Sequence, residues 1–384
     1  MRILMAAPLL PHPASTAGGA LVIFGELATL ARRHDVTLVT FAGPSPSDRD
    51  GLEILRRLGV TVHHVWRSPA YGLAVLRRRA RLAIRWASGS DPMRALKFRD
   101  AAMQATLDEA GRGSRFDIVL VEDSAMGQYR YPAGVPSVLT DNDVRAEGAE
   151  ARRWHAYQRA VWHRFDRLQV YTERDAAGLR RLAPDLADRI RVNPFGVDLE
   201  PATDSTAERD GELVFVGGFH HAPNVDAACW LVEDIFPLVR AKSEPAHLTI
   251  VGADPPKAVR ALASERVTVT GFVPDVAPYL ERAAVVVAPL RRGSGMRVKL
   301  LQALARGKAI VTTPLGAEGL APDPPLRVAS SAPDIAADVT TLLDDAVVRH
   351  SLGVRARAFV AEHHSWSGFV DRLAAICREL GLEP

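Results

Sequence analysis

Cysteine is scarce in this chain of 384 residues, which contains only Cys229 and Cys377 and no Cys-x-x-Cys pair. Two distant cysteines indicate neither a disulfide framework nor a cysteine-ligated zinc site, and they fit a reducing compartment. The sequence also lacks any apolar run near the roughly 20 residues that a membrane-spanning helix needs. Its apolar start, residues 1–8, is too short for a signal peptide. We therefore predict a cytoplasmic protein.

Several signatures of familiar active sites are missing as well. The sequence has no GxGxxG turn after its first apolar run, no Walker P-loop, no HExxH and no GxSxG. These are the usual sequence marks of dinucleotide-dependent dehydrogenases, P-loop nucleotide hydrolases, zinc peptidases and α/β-hydrolases. A binding site in this chain must therefore be sought in its other glycine-rich or charged segments.

The composition is that of a folded protein, because hydrophobic residues make up 47% and charged residues 24% of the chain. Its length suits two domains rather than a single core. Short β-rich runs alternate with helical patterns from one end to the other, which is typical of parallel sheets with helices on both faces. We predict an α/β protein built from two doubly wound, Rossmann-like domains.

The alternation weakens in residues 199–210, a polar and aperiodic segment that we interpret as a linker. It separates an N-terminal domain, residues 1–198, from a second domain, residues 211–365. A C-terminal helix, residues 366–384, closes the chain, and packing back on the first domain is one option for it. Open sheets of this type bind ligands beyond the carboxyl ends of their strands, so two facing domains are expected to share a central cleft.

Positive charge is concentrated in the first half of the chain. Residues 1–199 carry 29 Lys and Arg against 22 Asp and Glu, whereas the remainder carries 19 against 23. Two interpretations of the most basic segment stay open: a solvated helix face, or a helix on an anionic membrane with Leu82, Ile84 and Trp86 at the lipid boundary. A third interpretation, nucleic-acid binding, is not supported by any known nucleic-acid-binding module in the sequence. The arginines of this segment are Arg77, Arg78, Arg79, Arg81 and Arg85.

The clearest candidate site is a glycine-rich turn between a predicted strand that ends at Pro289 and a predicted helix that carries Arg297 and Lys299. Backbone amides, the positive end of a helix dipole and two cations at one place predict a site for a pyrophosphate group. The alternative, that both cations are ordinary surface charges of a helix, is weaker because the turn directly precedes them. The turn consists of Gly293, Ser294 and Gly295, and Met296 after it, the first residue of the predicted helix, is also expected to contact the donor.

Two other glycine pairs follow the first strand of each predicted domain. Gly18 and Gly19 stand before the first helix, where the alternative is a plain loop, and a second loop repeats this arrangement after residue 216. Its two adjacent histidines rarely converge on one ion without further ligands, so we predict no metal site there. The second loop contains Gly217, Gly218, Phe219, His220 and His221, and we expect the first four to contact a ligand.

These segments carry a resemblance. The run from residue 293 to residue 320 is similar to the pattern GSGTRLKILEAxAxGxPVVSTxxGAEGL, found in a subgroup of family 4 of the glycosyltransferases. Weaker similarities keep the family's order in the second half, and the first half resembles the family only near Gly18 and in residues 171–175. The weaker matches are residues 193–198, 215–224 and 271–275.

The resemblance implies a GT-B fold and a retaining hexosyltransferase that needs no metal or other cofactor and takes a UDP- or GDP-sugar as donor. It implies that the loop of Gly271, Phe272 and Val273 meets the nucleotide base. The family usually carries two glutamates separated by seven residues, and here those positions are Ser294 and Gln302. An amide binds a ribose hydroxyl more weakly than a carboxylate does. The Arg and Lys that many relatives carry after the first strand of the second domain are absent here, so Arg297 and Lys299 are expected to carry the diphosphate contacts.

The triplet Asp141-Asn142-Asp143 has the form of the DxD metal motif of the other large glycosyltransferase fold. We do not interpret it as a metal site, because the surrounding pattern is that of the metal-independent fold. Its position corresponds to an acceptor-side histidine of the family, so Asp141 and Asp143 are candidates to orient or deprotonate an acceptor hydroxyl. The equal alternative is an N-terminal cap of a helix predicted for residues 144–163.

The expected acceptor is a glycan, a small molecule or a lipid-linked sugar at a membrane, in the synthesis of a glycolipid, polysaccharide or glycoconjugate. Two other functions remain open. The missing glutamates suggest a non-catalytic GT-B partner subunit with a decayed site, against which the two cations and Gly18 and Gly19 argue. A GT-B sugar-nucleotide epimerase is the second, but no carboxylate–histidine set for that reaction is evident.

Overall fold

The computed structural model divides into two compact units. Unit 1 comprises Met1–Phe195 and Phe369–Pro384, and unit 2 comprises Gly196–Gly368. Each unit has its own sheet and its own hydrophobic core. The residues that the structure describes are 1–15, 17–67, 73–141, 144, 150–199, 207–293 and 297–384.

The sheet of unit 1 is parallel throughout, as the alternation of strands and helices predicted. Within the described residues its strands are β1 (Arg2–Ala7), β2 (Asp35–Ala42), β3 (Thr61–Trp66), β4 (Ile118–Glu122), β5 (Ser137–Thr140), β6 (Arg167–Val170) and β7 (Ile190–Val192). They lie in the order β3-β2-β1-β4-β5-β6-β7, so the chain changes direction across the sheet between β1 and β4.

The helices of unit 1 follow the strands. They are α1 (Gly18–Leu30), α2 (Pro46–Arg57), α3 (Leu73–Ser88), α4 (Met93–Lys97), α5 (Ala101–Gly111), α6 (Ala151–Trp162) and α7 (Glu173–Leu182), with 3-10 turns at Met126–Gln128 and Pro184–Arg189. The sequence predicted one helix over residues 91–110. The structure has two, because Asp100 leaves the helix and caps α5 through a hydrogen bond from the Ala102 amide at 2.9 Å.

Unit 2 repeats this plan with a second parallel sheet. Within the described residues its strands are β8 (Glu212–Val216), β9 (His247–Val251), β10 (Val267–Val269), β11 (Val285–Ala288), β12 (Ala309–Thr312) and β13 (Arg327–Val328). Their order is β10-β9-β8-β11-β12-β13, with the change of direction between β8 and β11. The predicted pair of doubly wound sheets is therefore confirmed.

The helices of unit 2 include four short ones that the sequence did not predict or predicted as part of longer helices. They are α8 (Ala222–Trp230), α9 (Phe236–Arg240), α10 (Lys257–Arg260), α11 (Ala277–Arg282), α12 (Val298–Ala305), α13 (Pro314–Ala317), α14 (Ala332–Asp344) and α15 (Ala346–His363). The last helix, α16 (Trp366–Glu379), begins in unit 2 and has most of its length in unit 1.

The helix predicted for residues 224–242 differs from the structure at both ends. It starts at Ala222 rather than Asn224, and His221, not Asn224, is its first flanking residue. A π-helical turn, Leu231–Ile235, separates α8 from α9. Pro237 explains this interruption, because a proline has no N–H to donate to the carbonyl four residues earlier and the helix must change its hydrogen bonding there.

The last helix is held on unit 1 by charged side chains. Glu379 forms ion pairs with Arg167 at 3.0 Å and Arg191 at 2.6 Å. Nearer the start of the helix, Arg372 donates to the Asn193 side-chain oxygen and to the Pro194 carbonyl, both at 2.9 Å. These bonds join the end of the chain to β6, to the edge strand β7 and to the residues after it.

Part of the predicted linker is attached to unit 2. Glu208 accepts two hydrogen bonds from Arg349, at 2.7 and 3.1 Å, and the amide of Arg209 donates to the Arg282 carbonyl at 2.9 Å. Arg349 is buried and also donates to the last carbonyls of α14. Residues 200–206 lie outside the described residues.

Among the helices that the structure describes, none is both long enough and apolar enough to cross a bilayer.

Two glutamates of unit 1 are buried and electrostatically coupled. Glu26 lies on α1, and Glu122 ends β4, where its Oε2 accepts a weak hydrogen bond from Tyr171 at 3.5 Å. Burial raises the pKa of Glu122 to about 8, with a further contribution from the charge of Asp123. Burial, and then the charge of Glu122, raises the pKa of Glu26 well above its usual value. Glu122 therefore keeps its proton in the folded protein at neutral pH, and the pKa of Glu26 is shifted in the same direction.

This pair predicts that unit 1 loses stability as the pH rises. Between about pH 4.5 and pH 8 the unfolded carboxyls ionise while the buried ones keep their protons, so the free energy of unfolding falls with pH. The side chain of Glu122→Gln is neutral at every pH. The free energy of unfolding of this variant, relative to that of the wild type, should therefore increase by on the order of 3 kcal/mol from pH 5 to pH 8. Urea denaturation at both pH values measures the difference. The exposed Glu109→Gln is the control, and an equal pH dependence in all three proteins contradicts the prediction.

Candidate functional site

The two glycine-rich loops of unit 2 lie side by side at the point where the strand order changes direction. β8 and β11 are parallel neighbours, with Leu213 opposite Val285 and Val214 opposite Val286. Their carboxyl ends therefore meet at one edge of the sheet, and the loops that start after Val216 and after Ala288 leave from that edge. Doubly wound sheets bind their ligands in the crevice at such a switch point.

Three glycines shape this edge. A Cβ atom on Gly252 would lie 1.8 Å from the Gly217 carbonyl oxygen, so the chain after β9 touches the chain after β8. The amide of Gly252 donates to the carbonyl of Gly271 at 3.3 Å, and Gly271 has a φ of +74°. A side chain at any of these places would push the loops apart or strain the backbone. The sequence indicated Gly217 and Gly271 but assigned Gly252 to its strand.

Lys299 lies in the first turn of α12, next to the loop that follows β8. Its Nζ donates to Asn224 Oδ1 at 2.5 Å and lies 5.2 Å from the centre of the Phe215 ring. Burial is the main cause that lowers the pKa of Lys299 to about 7, and the neighbouring charge of Arg297 adds to it. A bound anion would supply the missing negative charge and restore the ammonium form.

Arg297 directly precedes α12 and turns back over the loop after β11. A Cβ atom on Gly293 would lie 3.3 Å from Arg297 Nη2 and 3.4 Å from both Nη1 and the Pro223 ring. Gly293 has a φ of +109°, which a residue with a side chain rarely adopts. Gly293 therefore lies close to both the Arg297 guanidinium and Pro223 in the first turn of α8. The charge of Arg297 acts on Lys299, so the two side chains are electrostatic neighbours, and their expected role at a pyrophosphate stays a prediction.

The histidine pair of the β8–α8 loop is part of the same cluster. The rings of His220 and His221 are 4.0 Å apart. Burial, followed by the charges of His220 and Lys299, lowers the pKa of His221. Phe219, which we expected to contact a ligand, is buried and lies 6.4 Å from Phe215 between ring centres, so it anchors the loop in the core. The described residues include no group of three or more His, Cys, Asp or Glu placed to hold a metal ion.

The remaining predicted donor residues lie around this edge. Phe272 is 60% exposed, next to Gly271, which leaves its ring open to a flat partner, and Val273 is half-buried. Gln302 is half-buried on α12, one turn after Lys299 and on the same side of the helix. Ser294, Gly295 and Met296 lie outside the described residues.

Two threonines at the end of β12 fix the loop after β11, and sequence reasoning did not single them out. Thr312 Oγ1 donates to the Ala288 carbonyl at 2.7 Å, and Thr313 Oγ1 donates to the Leu290 carbonyl at 2.5 Å. The Gly316 amide in turn donates to Thr313 Oγ1 at 3.0 Å. Both threonines belong to the segment that carries the family resemblance, and this was the available signal.

An ion pair also joins the loop after β11 to α8. Arg291 donates to both carboxylate oxygens of Asp226, at 3.1 and 2.9 Å, and its guanidinium lies 4.7 Å from the Trp230 ring centre. The 65 residues between Arg291 and Asp226 hid this pair from the sequence. Together with the threonines, it holds the loop after β11 in one place on both sides.

The predicted acceptor-side residues of unit 1 differ in exposure. Gly18 and Gly19 begin α1, after the loop that follows β1 at the switch point of this sheet. Gly19 is exposed, and a Cβ atom built on it would meet nothing within 4 Å. The space beside the start of α1 is therefore open.

Asp141, by contrast, is only 1% exposed. Its Oδ2 accepts hydrogen bonds from Gln158 Nε2 at 3.0 Å and Trp162 Nε1 at 2.8 Å, and from the Ser124 hydroxyl. The capping alternative was wrong for this residue, because α6 begins at Ala151 after Glu150. Asp141 instead holds α6 from its side, and its expected role towards an acceptor stays a prediction. Asp143 lies outside the described residues.

Residues 210–345, which make up most of unit 2, match the family model described as glycosyl transferases, group 1. The chain is a glycosyltransferase. The search of curated proteins finds no match. Because the family model covers about a third of the chain, it leaves unit 1 to be judged by its fold.

Solved structures of glycosyltransferases match both units. Sucrose-phosphate synthase from Thermosynechococcus elongatus is 15% identical over 99% of both chains, with a TM-score of 0.72. HepE from Anabaena, solved with UDP and glucose, is 12% identical over 97% of this chain and 98% of its own, with a TM-score of 0.70. WaaG, a glycosyltransferase involved in lipopolysaccharide biosynthesis, is 16% identical over 97% and 99%, with a TM-score of 0.65. These likenesses confirm the predicted GT-B fold for this glycosyltransferase.

Proposed function

We propose that this glycosyltransferase moves a hexose from UDP or GDP to an acceptor hydroxyl with retention of the anomeric configuration. The observation that carries the proposal is the position of two basic side chains at the switch point of unit 2: Lys299 is bonded to Asn224, which also binds Gly218, and the Arg297 guanidinium lies beside Gly293. Two cations beside backbone amides are suited to a diphosphate. The sequence resemblance to family 4 supports the retaining outcome.

In this mechanism the bond between the anomeric carbon and the diphosphate oxygen breaks, and its electron pair stays on the leaving oxygen. Arg297 and Lys299 stabilise the charge that develops there, where it is greatest in the transition state. The acceptor oxygen forms the new bond on the same face of the sugar. The departing phosphate oxygen takes the acceptor proton, so that no protein nucleophile is needed. This front-face course follows from the family resemblance.

The base and the acceptor are assigned by position. We assign the base to the loop of Gly271–Val273, with the exposed Phe272 ring as a stacking surface. UDP is the nucleotide in the structure of HepE, which has the same fold, and this favours uracil over guanine. We assign the acceptor to unit 1, near Gly18 and Gly19, with a carboxylate of Asp141 or Asp143 orienting its hydroxyl. Ser294 and Gln302 are assigned to the sugar and the ribose.

A panel of nucleotide sugars tests the proposal on the purified protein. Thermal shift identifies the donor that stabilises the protein, since a ligand that binds the folded state raises its unfolding temperature. Hydrolysis of that donor in water then shows whether the site is catalytic. We expect stabilisation and slow hydrolysis with a UDP- or GDP-hexose. Stabilisation without hydrolysis or transfer would favour the non-catalytic subunit instead.

We predict that activity is independent of divalent metal. Arg297 and Lys299 supply the positive charge on the leaving diphosphate that a bound metal supplies in metal-dependent enzymes. Donor hydrolysis after treatment with EDTA and gel filtration is therefore expected to equal that of the untreated enzyme. Activity that is lost with EDTA and restored by manganese contradicts the prediction and returns Asp141 and Asp143 as candidate ligands.

We also propose that α3 holds the enzyme at an anionic membrane, where a lipid-linked acceptor would be found. Leu76 and Ile84 are 61% and 66% exposed and, two helical turns apart, lie on one side of α3. Arg77, Arg81 and Arg85, all exposed, run beside them in steps of four residues. Trp86 differs from the expectation, because Arg153 stacks on its ring at 4.8 Å and donates to its carbonyl.

Co-sedimentation with liposomes checks the membrane proposal. Basic residues at a membrane surface contribute about 1 kcal/mol each on anionic lipid, so we expect the wild type to pellet with anionic but not with neutral vesicles. Replacing the five arginines of residues 77–85 by glutamine should abolish pelleting. If the wild type stays in solution with anionic vesicles, a soluble acceptor is the better assignment. A control with the same loss of charge replaces the exposed arginines Arg181, Arg260, Arg327, Arg355 and Arg378.

A further inference from the structure

We propose that Asn224 is a positioning residue for the donor diphosphate: its amide holds the Lys299 ammonium and the turn at Gly218 in one fixed arrangement. This inference rests on the proposed function, because it concerns the same diphosphate site. Asn224 is the third residue of α8, and its side chain is turned back towards the loop that precedes the helix.

The contacts of Asn224 use both ends of its amide. Nδ2 donates to the Gly218 carbonyl at 2.7 Å, and Oδ1 accepts from Lys299 Nζ at 2.5 Å. The residue is 8% exposed, so both bonds are shielded from water. The other side of the Gly218–Phe219 peptide is held too, because the Phe219 amide donates to the Ala253 carbonyl at 3.0 Å. The turn therefore cannot rotate without breaking a bond.

The packing around Asn224 leaves no room for adjustment. A Cβ atom on Gly217 would lie 2.9 to 3.2 Å from three atoms of the Asn224 side chain. These distances are shorter than ordinary contacts, so Gly217 and Asn224 must be considered together: the glycine provides the space that the amide fills. The amide thereby joins three elements, namely the end of β8, the start of α8 and the start of α12.

The lack of charge on Asn224 is as important as its shape. Lys299 faces the cation Arg297, the ring of His221 and the aromatic ring of Phe215, and its hydrogen-bond partner Asn224 is neutral. An aspartate here would neutralise the ammonium and repel a phosphate group. A neutral acceptor fixes the position of the ammonium and leaves its charge for the diphosphate.

This arrangement predicts a characteristic pH dependence for nucleotide binding. Lys299 is half deprotonated near pH 7 in the free protein, and a bound diphosphate favours its charged form. Binding above pH 7 therefore takes up a proton, and the Kd for the diphosphate should rise by up to tenfold per pH unit. The corresponding nucleoside, which has no phosphate, should bind with a constant Kd up to pH 8, below the range in which its base ionises.

Isothermal titration calorimetry at pH 6, 7, 8 and 9 tests the inference, with UDP, GDP, uridine and guanosine as the ligands. For the diphosphate that the wild type binds, we expect Asn224→Ala to raise the Kd about tenfold and to leave the Kd of its nucleoside unchanged. Asn224→Asp keeps the volume of the side chain and adds a charge. Compared with the wild type, Asn224→Asp should weaken diphosphate binding most at pH 6 and 7. It should also remove the rise of the diphosphate Kd with pH.

The matched control is Ser331→Ala, which removes the side-chain cap of another helix of unit 2, α14, away from the site. It should bind all ligands as the wild type does. If Asn224→Ala weakens the nucleoside and the diphosphate equally, or changes neither, the inference is wrong while the proposed function stands. If the wild type binds neither UDP nor GDP, the proposed function fails and takes the inference with it. Should Asn224→Ala not fold, the pH profile of Asn224→Asp decides.

Discussion

Alanine at position 297 or 299 is expected to reduce kcat by about 100- to 1,000-fold, the usual loss when one stabilising group is removed from a developing negative charge. Arg297 and Lys299 both lie at the start of α12, beside the loops of Gly218 and Gly293. When either side chain is removed, only one cation remains to stabilise the departing diphosphate. Steady-state hydrolysis and transfer with the identified donor measure the effect.

Folding is expected to survive these substitutions. Lys299→Met keeps the apolar stem and removes an amine whose pKa burial lowers, so its unfolding temperature should equal or exceed that of the wild type. Arg355→Ala is the control, because this arginine is exposed on α15. Turnover near the wild-type value in both alanine variants would falsify the assignment of the diphosphate site. A general loss of stability would instead show that the cations are structural.

The second large effect is expected on stability, at Asp141. Asp141→Ala leaves the buried donors of Ser124, Gln158 and Trp162 without their acceptor. A buried donor that loses its partner costs about 1–3 kcal/mol, so we expect the free energy of unfolding to fall by about 3 kcal/mol or more. Urea denaturation followed by tryptophan fluorescence is well suited, because Trp162 is one of the three donors.

Asp141→Asn separates this structural role from the acceptor role. The amide keeps one acceptor oxygen and the volume, so it should lose less stability than alanine does. A fall of kcat by about 100-fold with an almost unchanged unfolding transition would support a role in orienting the acceptor. Asp188→Ala, at an exposed aspartate of unit 1, is the control. A wild-type free energy of unfolding in Asp141→Ala contradicts the structural role.

The candidate site was partly readable from the sequence, because glycines directly after strands mark places where the backbone approaches a ligand. This reasoning found Gly217, Gly293 and the two cations after the turn. It did not find Asn224 as the partner of Lys299, since 75 residues separate them. The sequence treated Asn224 as a helix cap, and only the side-chain direction in the structure shows that it points at Gly218 instead.

The sequence by itself determined the alternation of elements. Its patterns predict strands at residues 2–7 and 309–312 and helices at residues 173–182 and 346–363, and these are the bounds of β1, β12, α7 and α15. Such elements follow from periodicity and end signals within a few neighbouring residues. Only the tertiary structure decided the strand order, the two-residue strand β13 and the burial of Asp141. These depend on pairings between residues far apart in the chain, and no local pattern encodes which distant partner a strand edge or a carboxylate will meet.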